Sequence, residues 1–318
     1  MLQSLIFWGS WLYFPAMVAG VVLLRASSGL RARIAITCIM LGLSVLAYAR
    51  FVEPRILLVE ERRLDLAPAA SETTDIRIAL IGDPHYGIFR NAMPMDRIVE
   101  RVREEKAQAL FIAGDLTYFP DPDMIYEHFE PLQDLDIPVF AVMGNHDVGI
   151  GGHDLSAPVL RALNRLNVQT VENRAVQAQI GEATVIVAGA SDLWQRAYDF
   201  GFSTNLPEDK ATLLLVHNPD TAAVVPESFD YDLMLAGHTH GGQIRLPLVY
   251  KFVIPTIHPF DKGLHTVGSS SNQRLVYVTP GTGMIGLPMR FLIPPQIDVL
   301  TLSVPLDREA QDLESLRR

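Results

Sequence analysis

Five short clusters in this chain gather side chains that bind metal ions through oxygen and nitrogen. They are Gly82-Asp83-Pro84-His85, Gly114-Asp115, Gly144-Asn145-His146-Asp147, His217-Asn218 and Gly237-His238-Thr239-His240-Gly241-Gly242. Each closes an apolar run, four of them through a glycine. Carboxylate and amide oxygens together with neutral imidazole nitrogens suit divalent Mn, Fe or Zn. Cys38 is the only cysteine, so a disulfide framework and a thiolate metal site are both excluded. The donors suffice for two ions, and a carboxylate such as Asp115 can bridge cations ~3.5–4 Å apart, the spacing of two-metal phosphoryl-transfer sites. Asp83 and Asp115 set two negative charges against four positive ones. The resulting local field of about +2 would attract a phosphate ester even inside an acidic protein.

Singly, most of these clusters have an ordinary reading. Gly-Asp-Pro-His is turn-forming, and His217 alone reads as a satisfied histidine at a strand end. Gly-Asn-His-Asp is more specific, because packing gives no reason for three polar side chains after a buried strand. In His238-Thr239-His240 an extended backbone would project both imidazoles to one side. Five of the nine histidines fall in the clusters. His128, His153, His258 and His265 have no evident chemical partner and read as surface or loop residues.

The elements that carry the clusters form a strand–helix series. Apolar runs at 76–81, 110–113 and 139–143 read as strands, with helices predicted over DRIVERVREEK (96–106) and DMIYEHFEPLQDL (123–135). Further strands are predicted at 184–187, 213–216, 233–235, 275–278 and 297–304, with little helical pattern late on. Such repetition implies a sheet with parallel strands and helices on its faces. In such sheets ligands bind in the crevice beyond the carboxyl ends of the strands, where all five clusters would then meet. With 318 residues, 49% hydrophobic and 19% charged, the chain is not intrinsically disordered. A net charge of −10 argues against a nucleic-acid partner, which calls for a basic face.

The front of the chain differs from the rest. Residues 2–24 contain no charged side chain, and at ~1.5 Å per residue a helix of that length crosses a ~30 Å hydrocarbon core. A second apolar run, 34–49, reaches through Phe51 and Val52 if Arg50 snorkels toward the headgroups. A cleavable signal peptide fits less well, since no basic segment precedes the first run. Residues 1–52 are therefore read as a membrane anchor with two transmembrane helices, 53–74 as a linker, 75–305 as one catalytic domain and 306–318 as a tail. Arg25, Arg31 and Arg33 in the connector favour a cytoplasmic connector, which places the catalytic domain outside the cytoplasm. Arg50, Arg55, Arg62 and Arg63 pull the other way.

The ordered pattern D-x-H, G-D, G-N-H-[DE], H and G-H-x-H, from Asp83 to His240, resembles the calcineurin-like metallophosphoesterase superfamily. HNPD (217–220), GHTHGGQ (237–243) and LPMRFLIPPQI (287–297) are most similar to its membrane-associated bacterial phosphodiesterase branch. The resemblance spans roughly residues 75–304 and implies an α/β fold, a four-layer αββα sandwich of two mixed β-sheets. It implies one metal ion held by Asp83, His85, a bridging Asp115 and His240, and a second by Asp115, Asn145, His217 and His238. His146 would be the catalytic histidine, protonating the leaving oxygen or stabilising developing charge, with Asp147 orienting its ring and a metal-bridging hydroxide attacking phosphorus. Tyr118 stands where the family often has a second aspartate.

By the same resemblance the chain is a phosphoester hydrolase of the bacterial inner membrane, a phosphodiesterase or pyrophosphatase. The N-terminal anchor favours a membrane-borne or lipid-linked substrate, and the resemblance offers UDP-2,3-diacylglucosamine, a lipid A precursor, as a candidate. That candidate calls for a Gram-negative source and cytoplasmic access, at odds with the topology above. LPLVYKFVIPTIHPF (246–260), with Tyr250, Phe252, Ile254 and Phe260, and MIGLPMRFLIPP (284–295) would rim the site and receive acyl chains, with Arg290 or Arg245 near phosphate. A phosphatase of phosphoproteins or soluble nucleotides, and a silent membrane scaffold, are the alternatives.

Overall fold

The computed structural model describes residues 2–67, 72–269 and 272–306, so the predicted tail from Asp307 onward lies outside the described residues. Strands in the first half are β1 (Leu58–Asp65), β2 (Thr73–Ile81), β3 (Tyr86–Gly87), β4 (Ala109–Ala113), β5 (Thr117–Tyr118), β6 (Val139–Val142) and β7 (Gln169–Thr170). Those in the second are β8 (Arg174–Ile180), β9 (Ala183–Gly189), β10 (Thr212–Leu215), β11 (Leu233–Ala236), β12 (Gly263–Ser269), β13 (Asn272–Val278) and β14 (Gln296–Pro305). Two six-stranded mixed sheets result, ordered β1-β14-β2-β4-β6-β7 and β12-β13-β11-β10-β9-β8, while β3 and β5 pair separately.

Burial explains why the central strands are apolar throughout. In β2, Ile76, Ile78 and Leu80 enter the core between the sheets, with Phe111, Phe140 and Tyr277, while Ala79 and Ile81 face the outer helices. A strand covered on both sides has no polar face. Helix α1 (Met95–Glu104) buries Met95, Ile98, Val99 and Val102, the i, i+3, i+4, i+7 stripe that one helix face requires. With α2 (Ile125–Phe129) and α3 (Ser156–Arg165) it covers the first sheet. The outer face of the second sheet is covered by Phe200, Phe229, Tyr231 and Phe260, carried on loops and short 3-10 turns. The four layers are therefore present, the last built from turns rather than long helices. The predicted helix at 123–135 is broken into a 3-10 turn, α2 and a second 3-10 turn, Glu130–Asp134, with Pro131 early in the last.

The expected linker is largely not a linker. Leu58–Asp65 pairs in parallel with β14 along its whole length. Its sequence LVEERRLD reads as linker because an edge strand bears charge on exposed positions, which also discourages pairing with other chains.

Two apolar helices, Leu2–Ala26 and Leu30–Arg55, have the length and composition of membrane spans. Arg50 does not snorkel as expected. It is buried, its Nε donates to Ser10 Oγ at 2.9 Å, and its guanidinium lies 4.6 Å and 4.7 Å from the Phe7 and Phe51 ring centres. Phe7 packs in turn with Phe89, Tyr118 and Met284 of the domain. The hairpin is fastened at its second end as well: Arg290 N donates to Ala49 O (3.0 Å) and Ile293 N to a Glu53 carboxylate oxygen (2.6 Å).

Arg290, expected near phosphate, is instead fully buried. Its guanidinium donates to the carbonyls of Gly283, Ile293 and Pro280 at 2.7, 3.1 and 2.9 Å. It therefore ties the 280–293 loop together. Arg290→Met, which fills similar space without donors, is expected to cost about 3 kcal/mol or more by stranding three carbonyls. Thermal unfolding of the full chain in detergent checks this, and an unchanged Tm would contradict the assignment.

Candidate metal centre

The ligand-type residues lie just beyond the carboxyl ends of neighbouring strands: Asp83 and His85 after β2, Asp115 after β4, Asn145 and His146 after β6. His217 follows β10, and His238 and His240 follow β11. Backbone hydrogen bonds stitch the turns to one another. Asp83 N donates to Gly114 O (2.9 Å), His85 N to Asp115 O (3.1 Å) and Gly237 N to His217 O (2.9 Å).

Asp83, His85 and His240 offer ligand atoms all within 4.8 Å of one another, as do Asp115, His217 and His238. Asp115 Oδ2 touches both groups, 3.5 Å from His85 Nε2 and 3.3 Å from His217 Nε2. Asn145 Oδ1 adds an oxygen 3.1 Å from His217 Nε2. All seven of these residues are buried. The sequence reading thus selected side chains that do converge.

Their local chemistry fits a pair of cations. His217 Nδ1 lies 2.8 Å from Ala113 O, so that nitrogen carries the proton and Nε2 faces the site. Ring nitrogens meet at 3.0 Å twice, His85 Nε2 with His240 Nε2 and His238 Nδ1 with His217 Nε2. Crowded acceptors of this kind cost energy unless a shared cation occupies the middle. No lysine or arginine forms an ion pair with Asp83 or Asp115 among the described residues.

The metal-free electrostatics show the same deficit of positive charge. Burial raises Asp83 to about 7, with Asp115 adding to the rise. His217 loses stability as a cation through burial, yet Asp115, Asp83 and Asp192 outweigh this and hold it at about 10. His85 and His238 are pushed down to about 3, chiefly by burial. The site therefore takes up protons where ions would sit.

The backbone is strained at the ligands themselves. Asp83, His85, Asp115, His238 and His240 have φ of 53°, 48°, 48°, 72° and 51°. Left-handed non-glycine residues cost on the order of 1 kcal/mol or more each and persist only where the surroundings impose them. The preceding glycines serve differently, by close approach. A Cβ on Gly144 would stand 2.1 Å from Asp115 Oδ1, and one on Gly237 2.6 Å from Asp83 Oδ2.

His146 is partly buried beside the two groups, its ring 5.3 Å from that of His85 and 5.2 Å from that of Tyr118. Tyr118 thus stands as an aromatic wall against the rings of both His85 and His146. Burial lowers the His146 pKa, with the Asp115 carboxylate acting against this. Asp147 does not orient that ring. Its carboxylate accepts from Leu116 N, Thr117 N and Gly144 N, each at 2.9 Å, and from Thr117 Oγ1 at 2.7 Å. Buried beneath the loop and saturated with donors, it locks the Asp115 turn to the Asn145 turn. Arg245 is engaged as well, with Asp261 (2.9 Å) and the Tyr250 hydroxyl (2.6 Å).

A cleft of about 340 Å³ opens onto Asp115, Asn145, His146 and His238. Its walls include Trp194, Val253, Pro255, Ile285 and Leu287. The Gln243 amide holds one wall by accepting from Ile285 N (2.8 Å) and donating to Ile285 O (2.9 Å) and Leu287 O (3.1 Å). Trp194 meets the His238 ring edge-on at 4.6 Å, and Asp192 Oδ1 accepts from Trp194 N at 2.9 Å. The sequence reading missed Asp192 and Trp194. A weaker signal was present, since β9 ends in Gly189 and, after Ala190, Ser191 and Asp192 follow, one residue off the strand–glycine–polar order of four of the five clusters.

Residues 76–242 match the model of the calcineurin-like phosphoesterase family. The chain is 29% identical over 265 residues to the uncharacterized metallophosphoesterase YkuE of Bacillus subtilis (strain 168), covering 80% of this chain and 88% of that protein. It is 31% identical over 244 residues to phosphodiesterase YaeI of Escherichia coli (strain K12), covering 71% and 82%. A Danio rerio protein named transmembrane protein with metallophosphoesterase domain is 28% identical over 238 residues, 71% of this chain and 53% of its own length. The conjunction of fold, strand-end ligands and these matches places the chain in the calcineurin-like phosphoesterase family, as a metal-dependent phosphoester hydrolase.

Proposed function

We propose that this chain is a dinuclear-metal phosphodiesterase or pyrophosphatase acting on a membrane-borne, lipid-linked phosphoester. The observation that carries the metal assignment is Asp115, whose Oδ2 lies within 3.5 Å of a histidine from each ligand group. Asp83, His85 and His240 would hold one ion, and His217, His238 and Asn145 the other, with Asp115 shared. Such a pair supplies charge for the phosphoryl oxygens and activation of water. His146 lines the same cleft, where it would serve as general acid for the leaving oxygen or stabilise the charge that develops there. Asp147 keeps the two turns in register while charge moves.

The cleft walls support this substrate class. Trp194, Val253, Pro255, Ile285 and Leu287 beside the ligands favour a diester or pyrophosphate with an apolar portion over a phosphoprotein or free nucleotide. UDP-2,3-diacylglucosamine carries such an apolar portion but calls for cytoplasmic access, which the location favoured below does not give, so another lipid-linked diester or pyrophosphate fits better. The Escherichia coli relative, a phosphodiesterase by name, supports diester chemistry, and the Danio rerio relative, a transmembrane protein by name, a membrane setting. For location we favour a bacterial inner membrane with the domain outside the cytoplasm, because Arg50 is consumed in a protein contact and no longer counts against the arginines of the connector.

Asp115→Ala is expected to lose both ions, whereas His146→Ala should retain them and lose roughly 10²–10⁴ in rate on bis-p-nitrophenyl phosphate. Metal analysis alongside kinetics decides, and ion loss in His146→Ala would overturn its role. A detergent-dispersed lipid diester should outcompete soluble phosphopeptides and nucleotides in the same assay; the reverse order would favour the phosphatase reading.

Metal uptake at pH 7 should release protons, because His217 sits at about 10 and Asp83 at about 7 without metal and both must deprotonate to bind. Affinity then rises with pH, by about tenfold per unit for each proton displaced. Calorimetry in buffers of different ionisation enthalpy measures this directly, and a binding heat independent of buffer would contradict it.

A further inference from the structure

The cleft has an outer apolar rim that the metal centre does not use. Residues 246–257 follow the Gly241–Gly242–Gln243 turn and include eight large apolar or aromatic side chains. Tyr250 and Ile254 are spent inside, packed over Gly242. Leu248, Phe252 and Ile257 face solvent at 90%, 87% and 90% exposure, and Val249 and, in the 290–293 segment, Leu292 are exposed as well. Lys251 is the only charged residue in 246–257, and in 285–292 the only one is Arg290, which is buried among carbonyls. A surface this apolar, with one cation and no acid, calls for a cover.

The backbone indicates which cover. Arg245 N donates to Phe291 O (2.8 Å) and Phe291 N to Gln243 O (3.0 Å), joining the rim to the 290–293 segment. That segment is bonded in turn to Ala49 O and Glu53, at the end of the second apolar helix. The rim is thus continuous with the point where the candidate span meets the domain. We propose that 246–257, with Leu292, inserts into the headgroup–acyl boundary of the bilayer that the two helices cross, so that the metal cleft opens at the membrane surface. Leu248, Phe252 and Ile257 enter the apolar side of that boundary, and Lys251 meets anionic headgroups. The inference rests on reading the two helices as spans, and it holds whether or not the substrate is a lipid.

The test uses the full chain in phosphatidylcholine–phosphatidylglycerol vesicles. Bimane is placed on Leu248→Cys, Phe252→Cys or Ile257→Cys in a Cys38→Ser background, on native Cys38, and on Glu208→Cys. Cys38 is exposed on the second apolar helix, and Glu208 lies in an exposed loop before β10, at the opposite end of the strands from the ligands. The three rim labels are expected to be quenched several-fold more than the label at 208 by lipids brominated high on the acyl chain, and to be shielded from aqueous iodide. Rim labels that behave like the one at 208 while Cys38 is quenched by lipid would overturn the proposal and leave the spans standing. Rim labels shielded from both quenchers would assign the surface to a second copy of the chain instead. A Cys38 label untouched by brominated lipid would overturn the spans and the proposal together.

Discussion

Two carboxylates, Asp83 and Asp115, are buried in the same pocket without a lysine or arginine ion pair among the described residues. Withdrawing ionised carboxylates from water costs several kcal/mol each unless opposite charge is supplied. The chain supplies imidazoles, which can accept protons or donate lone pairs to metal. Without metal, the pocket raises His217 and Asp83 so that protons stand in for the missing charge. Two divalent ions discharge the same debt with better geometry, since every histidine can then be neutral.

That electrostatic demand explains why the surrounding backbone is arranged as it is. Five of the ligand residues sit at positive φ, a conformation they would not hold in isolation. Hydrogen bonds between turns of different strands impose it, and Asp147, saturated by four donors, welds two of those turns. Both sheets contribute ligands, so the inter-sheet core of Ile78, Phe111, Phe140 and Leu235 is what keeps the two halves of the site in register. The N-terminal hairpin adds a further constraint. Phe7 stacks on Phe89, Phe89 meets Tyr118, and Tyr118 contacts the rings of His85 and His146. Two rings, Phe89 and Tyr118, thereby link an apolar helix to the histidines of the site.

Much of the site was legible because its residue types have no packing rationale: Asp, Asn and His after an apolar strand need another explanation. The central strands were legible for the complementary reason, being apolar on both faces. What escaped was whatever looked ordinary. β1 carries the charge of an edge strand and reads as linker, β8 has a polar alternation, and Asp192 lacks a neighbouring histidine to draw notice. Arg290 and Asp147 were misassigned because charge alone does not reveal whether its partners are backbone groups or a ligand. Only the path of the chain shows that three carbonyls surround the one and four donors the other. Arg50 escaped likewise, since tertiary contacts with Ser10 and Phe7 override the preference for headgroups.

Anomalous diffraction from crystals of the full chain grown with manganese addresses the central claim most directly. The account predicts two peaks about 3.5–4 Å apart, one among Asp83, His85 and His240 and the other among Asn145, His217 and His238, with the Asp115 carboxylate between them. A single peak away from Asp115, or an empty pocket with Asp83 and Asp115 unchanged, would contradict it.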